Sequence, residues 1–112
     1  MLSEVLTDAG YRVASLSNGR DALRSLKRRK VPPRLILLDL MMPVMDGWKF
    51  LEEKSRLREF DGIPVVVLSA FPARNVSAQA ILRKPIDLNR LTATVEKFCR
   101  KPARRSPSAK DA

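Results

Sequence analysis

Three polar side chains, a carboxylate, a hydroxyl and an amine, lie at the ends of apolar segments that are typical of buried strands. Asp39 interrupts the run LILLDL, Ser69 ends the run IPVVVLS, and Lys84 follows the short run AILR. An aspartate can act as a nucleophile toward phosphorus, and a hydroxyl and an ammonium can stabilise charge on phosphoryl oxygens. Taken singly, each residue also suits a cap, a turn or a solvated surface. Taken together, they predict phosphoryl-transfer chemistry if they converge.

The pattern of apolar residues predicts the elements that would bring these side chains together. Helices and strands alternate along the chain, which indicates an α/β fold with a parallel sheet and right-handed crossovers. In such a sheet the carboxyl ends of the strands share one edge, where ligands bind. The first half of the predicted order is a helix at 2–9 that ends at Gly10, a strand at 11–16, a helix capped by Ser17 or Asn18, and a strand at 35–40. The second half is a helix capped by Asp46, a strand at 63–68, a weakly patterned segment at 70–79, a strand at 80–83, and a helix that begins at Pro85 or Asp87.

Three motifs in this order resemble response-regulator receiver domains of two-component signalling. LILLDLMMPVMDGW resembles the phosphoacceptor strand and loop, VVVLSA the strand that ends in the family's Ser/Thr, and LRKPID the strand-end Lys followed by a cis Pro. The resemblance covers residues 1–99. It implies a flavodoxin-like doubly wound parallel sheet. It also implies a cytoplasmic phosphorelay protein that is not an enzyme.

The resemblance assigns a role to each candidate site residue. Asp39 would accept a phosphoryl group from a histidine kinase or phosphotransfer protein. Ser69 would move toward the phosphorylated Asp39, and Lys84 would pair with Asp39 before transfer and with the phosphate afterwards. Asp39 and the backbone carbonyl of Met41 would be ligands of Mg²⁺.

The sequence departs from the family at its start. It begins in the helix after the family's first strand, without that strand and the acidic pair at its end. We therefore expect weak Mg²⁺ binding and slow or absent transfer in this chain. In the family's strand order, 2-1-3-4-5, the missing first strand lies between the second and third strands. Either these neighbours pair directly, or another chain such as a second copy fills the gap as a homodimer, or Met1 is an internal methionine of a longer protein.

Two further departures concern the signalling side of the domain. Only fifteen positions separate Ser69 from Lys84, so we expect the fourth helix to be shortened or absent. Ile81 stands where many relatives carry an aromatic switch residue. The haloacid-dehalogenase type of phosphatase also uses an aspartate after an apolar strand. It needs a second Asp two residues on, where this chain has Met41, which argues against that activity.

Positive charge is concentrated in two segments of a chain with a net charge of +10. Residues 20–34 carry seven Lys/Arg and one Asp, and residues 100–112 carry five Lys/Arg and one Asp. We expect 1–99 to form the folded domain and 100–112 a disordered basic tail. Such clusters could neutralise nucleic-acid phosphates, but helix-turn-helix motifs and zinc spacings are absent and aromatic residues are few. A solvated basic face is the simpler interpretation.

Three functions remain open. The first is a phosphate-controlled receiver that acts on a downstream protein. The second is a receiver-like interaction module that does not depend on phosphorylation, and the third is a basic nucleic-acid-binding protein.

The single cysteine excludes an internal disulfide. Neither a secretory leader nor an apolar run approaching the roughly 20 residues needed to span a membrane is visible in the sequence.

Overall fold

The computed structural model describes residues 2–71 and 76–99, in which helices and strands alternate between residues 19 and 69. This order confirms the predicted α/β class. The elements are α1 Leu2–Asp8, α2 Gly19–Arg28, β1 Ile36–Asp39, α3 Gly47–Ser55, a 3₁₀ turn at Arg58–Phe60, β2 Val65–Ser69, β3 Ala80–Arg83 and α4 Leu88–Phe98.

The three strands form a parallel sheet in the order β1-β2-β3. Asp39 lies opposite Leu68, and Ser69 lies opposite Arg83, so the carboxyl ends of the strands lie at the same edge. Every residue of the central strand β2 is buried. The outer strand β1 is only half-buried apart from Leu38, because just one of its sides is covered by a neighbouring strand. The sheet therefore presents its three predicted strand ends together.

Helices cover both faces of the sheet, as the doubly wound fold predicts. Successive side chains of a strand point to opposite faces, so Val65 and Val67 belong to one core and Val66 and Leu68 to the other. Both cores are apolar, which explains why the strands are near-continuous apolar runs. The first core adds Leu23 and Leu26 of α2 and Phe50 of α3; the second adds Leu6 of α1 and Leu91 and Val95 of α4.

The strand predicted at 11–16 is wrong. This segment forms no strand, and its side chains are exposed apart from the half-buried Tyr11. The alternative in which it pairs directly with the strand at 36–39 is therefore not observed. Within residues 2–71 and 76–99, β1 pairs with β2 alone. A strand needs a partner for its backbone N–H and C=O groups, and an alternating side-chain pattern does not supply one.

The predicted helix termini are confirmed. Gly10 has a left-handed φ of 100° at the end of α1, a conformation that glycine adopts without steric cost. The side chain of Asn18 accepts a hydrogen bond from the Asp21 N–H at 2.9 Å, and Asp46 accepts one from the Lys49 N–H at the same distance. These side chains satisfy N–H groups that a helix leaves without a partner.

The segment before β3 contains no helix among its described residues 76–79, which agrees with a shortened fourth helix. Residues 72–75 and the predicted tail at 100–112 lie outside the described residues. Ile81 is 40% exposed on β3. No helix in the described part of the chain has the length and hydropathy needed to cross a membrane.

Candidate functional site

Asp39 and Lys84 form an ion pair at the carboxyl edge of the sheet. The Lys84 Nζ lies 2.7 Å from the Asp39 Oδ2. The other carboxylate oxygen, Oδ1, accepts a hydrogen bond from the Met41 N–H at 3.0 Å. The Lys84 and Asp39 side chains are 37% and 38% exposed, so solvent or a small donor can reach the carboxylate. The structure thus brings these two predicted site residues into direct contact.

The backbone after β3 positions the lysine. The Lys84 N–H donates to the Ser69 carbonyl at 2.7 Å, which extends the pairing of β3 with β2 by one residue. The peptide bond between Lys84 and Pro85 is cis, as the motif predicts. The lysine stem therefore starts from a backbone held against β2, and its amine reaches across to the end of β1.

Ser69 lies at the same edge, but its hydroxyl contacts the loop after β2. The Ser69 Oγ donates to the Phe71 carbonyl at 2.5 Å and receives the Phe71 N–H at 3.3 Å. The side chain is almost fully buried. Ser69 is thus placed next to the ion pair without a hydrogen bond to Asp39. A hydroxyl that bonds to a residue two positions along the chain is common in turns, but the sequence did not reveal this contact.

The loop after β1 is held by backbone contacts that the sequence analysis missed. The Gly47 N–H donates to the Leu40 carbonyl at 2.9 Å, and the Gly19 N–H at the start of α2 donates to the Met45 carbonyl at 3.0 Å. Val44 has a φ of 68°, a conformation that is strained for a β-branched residue. The loop beside Asp39 is therefore connected to the first residue of α2 and to the first residue of α3.

The described residues offer few ligands for a metal. They contain no group of three or more His, Cys, Asp or Glu side chains that could hold an ion. Asp39 supplies one carboxylate, and the exposed Met41 lies two residues further along the loop. Carboxylate and carbonyl oxygens suit Mg²⁺, which keeps several of its waters when the protein offers few ligands. The donor set fits Mg²⁺ in kind and is small in number.

A sequence profile described as the response regulator receiver domain matches residues 1–96. The chain belongs to this family. Proteins of the family are signalling domains, generally without enzymatic activity, that interact with histidine kinases and downstream effectors. Phosphorylation by a histidine kinase is standard for them, and they typically bind Mg²⁺ in the active site.

Individual relatives are similar over most of this chain. The transcriptional regulatory protein ZraR of Escherichia coli O157:H7 is 34% identical over 104 residues, which cover 87% of this chain and 23% of ZraR. The receiver domain thus spans about a quarter of the length of that relative. An uncharacterised 14.6 kDa protein of Leptolyngbya boryana is 32% identical over 107 residues, covering 88% of this chain and 79% of that protein.

Solved receiver structures share the fold. The signal receiver domain of a histidine kinase from Syntrophus aciditrophicus superposes with a TM-score of 0.80 at 26% identity, covering 99% of this receiver domain and 87% of that chain. The receiver domain of a sensor histidine kinase from Pseudomonas aeruginosa PAO1 gives a TM-score of 0.78 at 23% identity, covering 89% of this chain and 86% of that chain. That structure has a magnesium ion coordinated in its active site cleft.

Proposed function

We propose that this receiver domain accepts a phosphoryl group on Asp39 from the phosphohistidine of a histidine kinase or phosphotransfer protein. The observation that carries the proposal is the 2.7 Å contact between the Lys84 amine and the Asp39 carboxylate at the exposed carboxyl edge of the sheet. In the reaction a carboxylate oxygen attacks phosphorus, the bond from phosphorus to the histidine nitrogen breaks, and an aspartyl phosphate forms.

Lys84 and Ser69 have separate tasks in this scheme. Lys84 holds the carboxylate before transfer and pairs with a phosphoryl oxygen afterwards, because its flexible stem lets a compact charge follow the developing negative charge. Ser69 must exchange its hydrogen bond to Phe71 before its hydroxyl can reach the new phosphoryl group. Such an exchange moves the loop that follows β2 and would pass the phosphorylation signal to a downstream protein.

We further propose that Mg²⁺ binds weakly here, through the Asp39 carboxylate and the Met41 carbonyl. The absence of an acidic cluster among residues 2–71 and 76–99 supports this expectation. When bound, the ion would neutralise charge on the phosphoryl group. With so few protein oxygens, we expect slow transfer from small donors.

Incubation with acetyl phosphate and Mg²⁺, followed by intact-mass measurement, tests the phosphoacceptor role. We expect slow, partial addition of one phosphoryl group and no addition in Asp39→Asn. The matched control is Asp46→Asn, a neighbouring carboxylate whose capping role asparagine can keep, and it should label like the unmodified chain. Labelling that persists in Asp39→Asn would contradict the proposal. Rapid stoichiometric labelling would contradict only the proposal of weak Mg²⁺ binding and would leave the phosphoacceptor role of Asp39 intact.

The second candidate is a docking module whose binding does not require phosphorylation. The Ser69 hydroxyl is already satisfied by Phe71, and β1 pairs through one side alone in the described part of the chain. Exposed strand edges readily pair with another strand, so a second copy could dimerise at this edge. Light scattering at high concentration tests the dimer, and a cooperatively folded monomer would contradict it. If a partner binds equally well before and after phosphorylation of Asp39, this result would favour the docking module that does not require phosphorylation.

A further inference from the structure

The exposed face of α2 carries a stripe of cations. Arg20, Arg24, Lys27 and Arg28 are all exposed and recur at helical spacing, so they share one side of the helix. The opposite side is buried and packs into the core beneath the sheet. The basic character of the segment 20–34 is thus concentrated on a solvent-facing surface.

Among the described residues, few acidic side chains neutralise these cations. The ion pairs within the described residues include only one from α2, between Arg24 and Asp21, at 4.0 Å with both side chains largely exposed. On α3, by contrast, Lys49 and Arg56 each contact two glutamates of the same helix. Exposed pairs of this kind contribute little stability, but they determine how much charge is left for a partner.

An open cavity of about 450 Å³ lies beside the stripe. An exposed apolar side chain is part of its lining, since Leu16 is 44% exposed. The surface around the cavity therefore combines guanidinium groups with an exposed apolar side chain. The residues that line the cavity are Leu16, Asp21, Arg24, Ser25, Arg28 and Arg29.

We propose that this cavity and the α2 stripe bind an acidic protein segment that also carries apolar side chains. The planar guanidinium groups of Arg24 and Arg28 match carboxylates in a two-pronged geometry, and Leu16 offers apolar contact in the same cavity. Nucleic acid fits less well, because single strands stack their bases on aromatic side chains and no aromatic residue lines the cavity.

The proposed surface is distinct from the phosphoacceptor site, and it is connected to that site through the backbone. The first residue of α2, Gly19, donates its N–H to the carbonyl of Met45 in the loop that follows Asp39. The binding proposal itself does not depend on phosphorylation of Asp39. It can therefore fail or succeed independently of the proposed function.

Fluorescence anisotropy with the full chain and a labelled peptide rich in glutamate and leucine tests the proposal. We expect the double variant Arg24→Gln, Arg28→Gln to weaken binding by roughly tenfold or more, since it removes charge-assisted hydrogen bonds. The matched control is Arg56→Gln with Arg58→Gln, which lowers the net charge equally at cations outside the stripe. We expect less than about a twofold effect there. The basic segment at 100–112 is present in every variant.

Equal weakening in both double variants would overturn the proposal, because binding would then follow net charge and not the α2 surface. Failure of the peptide to bind at low salt would also overturn it. Tighter binding of a single-stranded oligonucleotide, with the same dependence on Arg24 and Arg28, would reassign the surface to nucleic acid. NMR shifts of the unmodified chain, expected on α2 when peptide is added, provide a readout that requires no variant.

Discussion

Helices α2 and α3 lie on the same face of the sheet and begin in the same way, yet they present different surfaces to solvent. Each is capped by a polar side chain that accepts the N–H three residues on, Asn18 in α2 and Asp46 in α3. Each begins with a buried glycine, Gly19 or Gly47, whose N–H donates to a carbonyl at or after the end of β1.

Their exposed faces differ in how charge is arranged. On α3, lysine and arginine alternate with Glu52 and Glu53 and form a network of ion pairs. On α2, cations dominate and a single long ion pair, to Asp21, is formed among the described residues. The core and the loop beside Asp39 thus constrain how these helices start and which side is buried. The solvent side remains free to serve a partner.

The largest expected effect comes from removing the aromatic anchor of α3. Phe50 is 1% exposed in the core shared by both helices. We expect Phe50→Ala to lower the free energy of unfolding by about 3–5 kcal/mol, because it removes buried hydrocarbon and leaves a cavity. Urea denaturation followed by circular dichroism measures this change. A loss no larger than that caused by Leu26→Ala on α2 would show that the two helices anchor the core equally.

The first residues of α2 and α3, Gly19 and Gly47, lie too close to neighbouring atoms to carry a side chain without a shift. A Cβ at residue 47 would lie 2.7 Å from the Leu40 Cα, and one at residue 19 would lie 2.7 Å from the Met45 carbonyl oxygen. We expect Gly47→Ala and Gly19→Ala each to destabilise the fold by about 1–3 kcal/mol. Gly62→Ala is the control, since nothing lies within 4 Å of that Cβ. If all three variants denature at the same urea concentration, the close approach does not constrain the helix starts.

Removal of the caps should have a smaller effect. Asn18→Ala and Asp46→Ala each leave one helix N–H without its side-chain acceptor, and we expect a loss of about 1 kcal/mol for each. Asp46→Asn should retain most of the stability, because asparagine caps as well as aspartate. Thermal unfolding of the three variants measures the difference. An Asp46→Asn variant as unstable as Asp46→Ala would indicate that charge, and not the hydrogen bond, matters at this position.

The smallest effect concerns Lys54, a cation on the buried side of α3 that is only 9% exposed. Burial lowers the pKa of Lys54 from its ordinary value of 10.5, although the nearby Asp61 opposes this shift. The unfolded chain therefore binds more protons than the folded one between the lowered pKa and 10.5, so stability rises with pH in that alkaline window.

We expect Lys54→Met to be more stable than the unmodified chain at neutral pH, on the order of 0.5 kcal/mol. This advantage should shrink as the pH rises through the alkaline window, because the unmodified chain no longer keeps a charge in a buried position. Lys27→Met on the exposed face of α2 is the control. A loss of stability in Lys54→Met at neutral pH would show that the electrostatic attraction of Asp61 for Lys54 outweighs the cost of burial.

Most of the fold and the candidate residues were predictable from local patterns, and the exceptions have a common cause. The strand at 11–16 was predicted from the pattern of its apolar residues, but a strand forms only where another strand offers hydrogen-bonding groups. The position of Ser69 at the strand end was also predicted. Its bond to Phe71 was not, because the sequence does not say which of several acceptors a buried hydroxyl selects.

Local sequence patterns correctly predicted the order of the helices, three of the four expected strands, the helix caps and the placement of a carboxylate, a hydroxyl and an amine at strand ends. These follow from apolar periodicity and from residue types that act over a few positions of chain. The resemblance implied that Lys84 pairs with Asp39, but the distance between the two side chains depends on the tertiary structure, because the register of β3 on β2 sets it. The same holds for the loop beside Asp39, which contacts the start of α2 across the fold, where packing and not sequence proximity selects the partner.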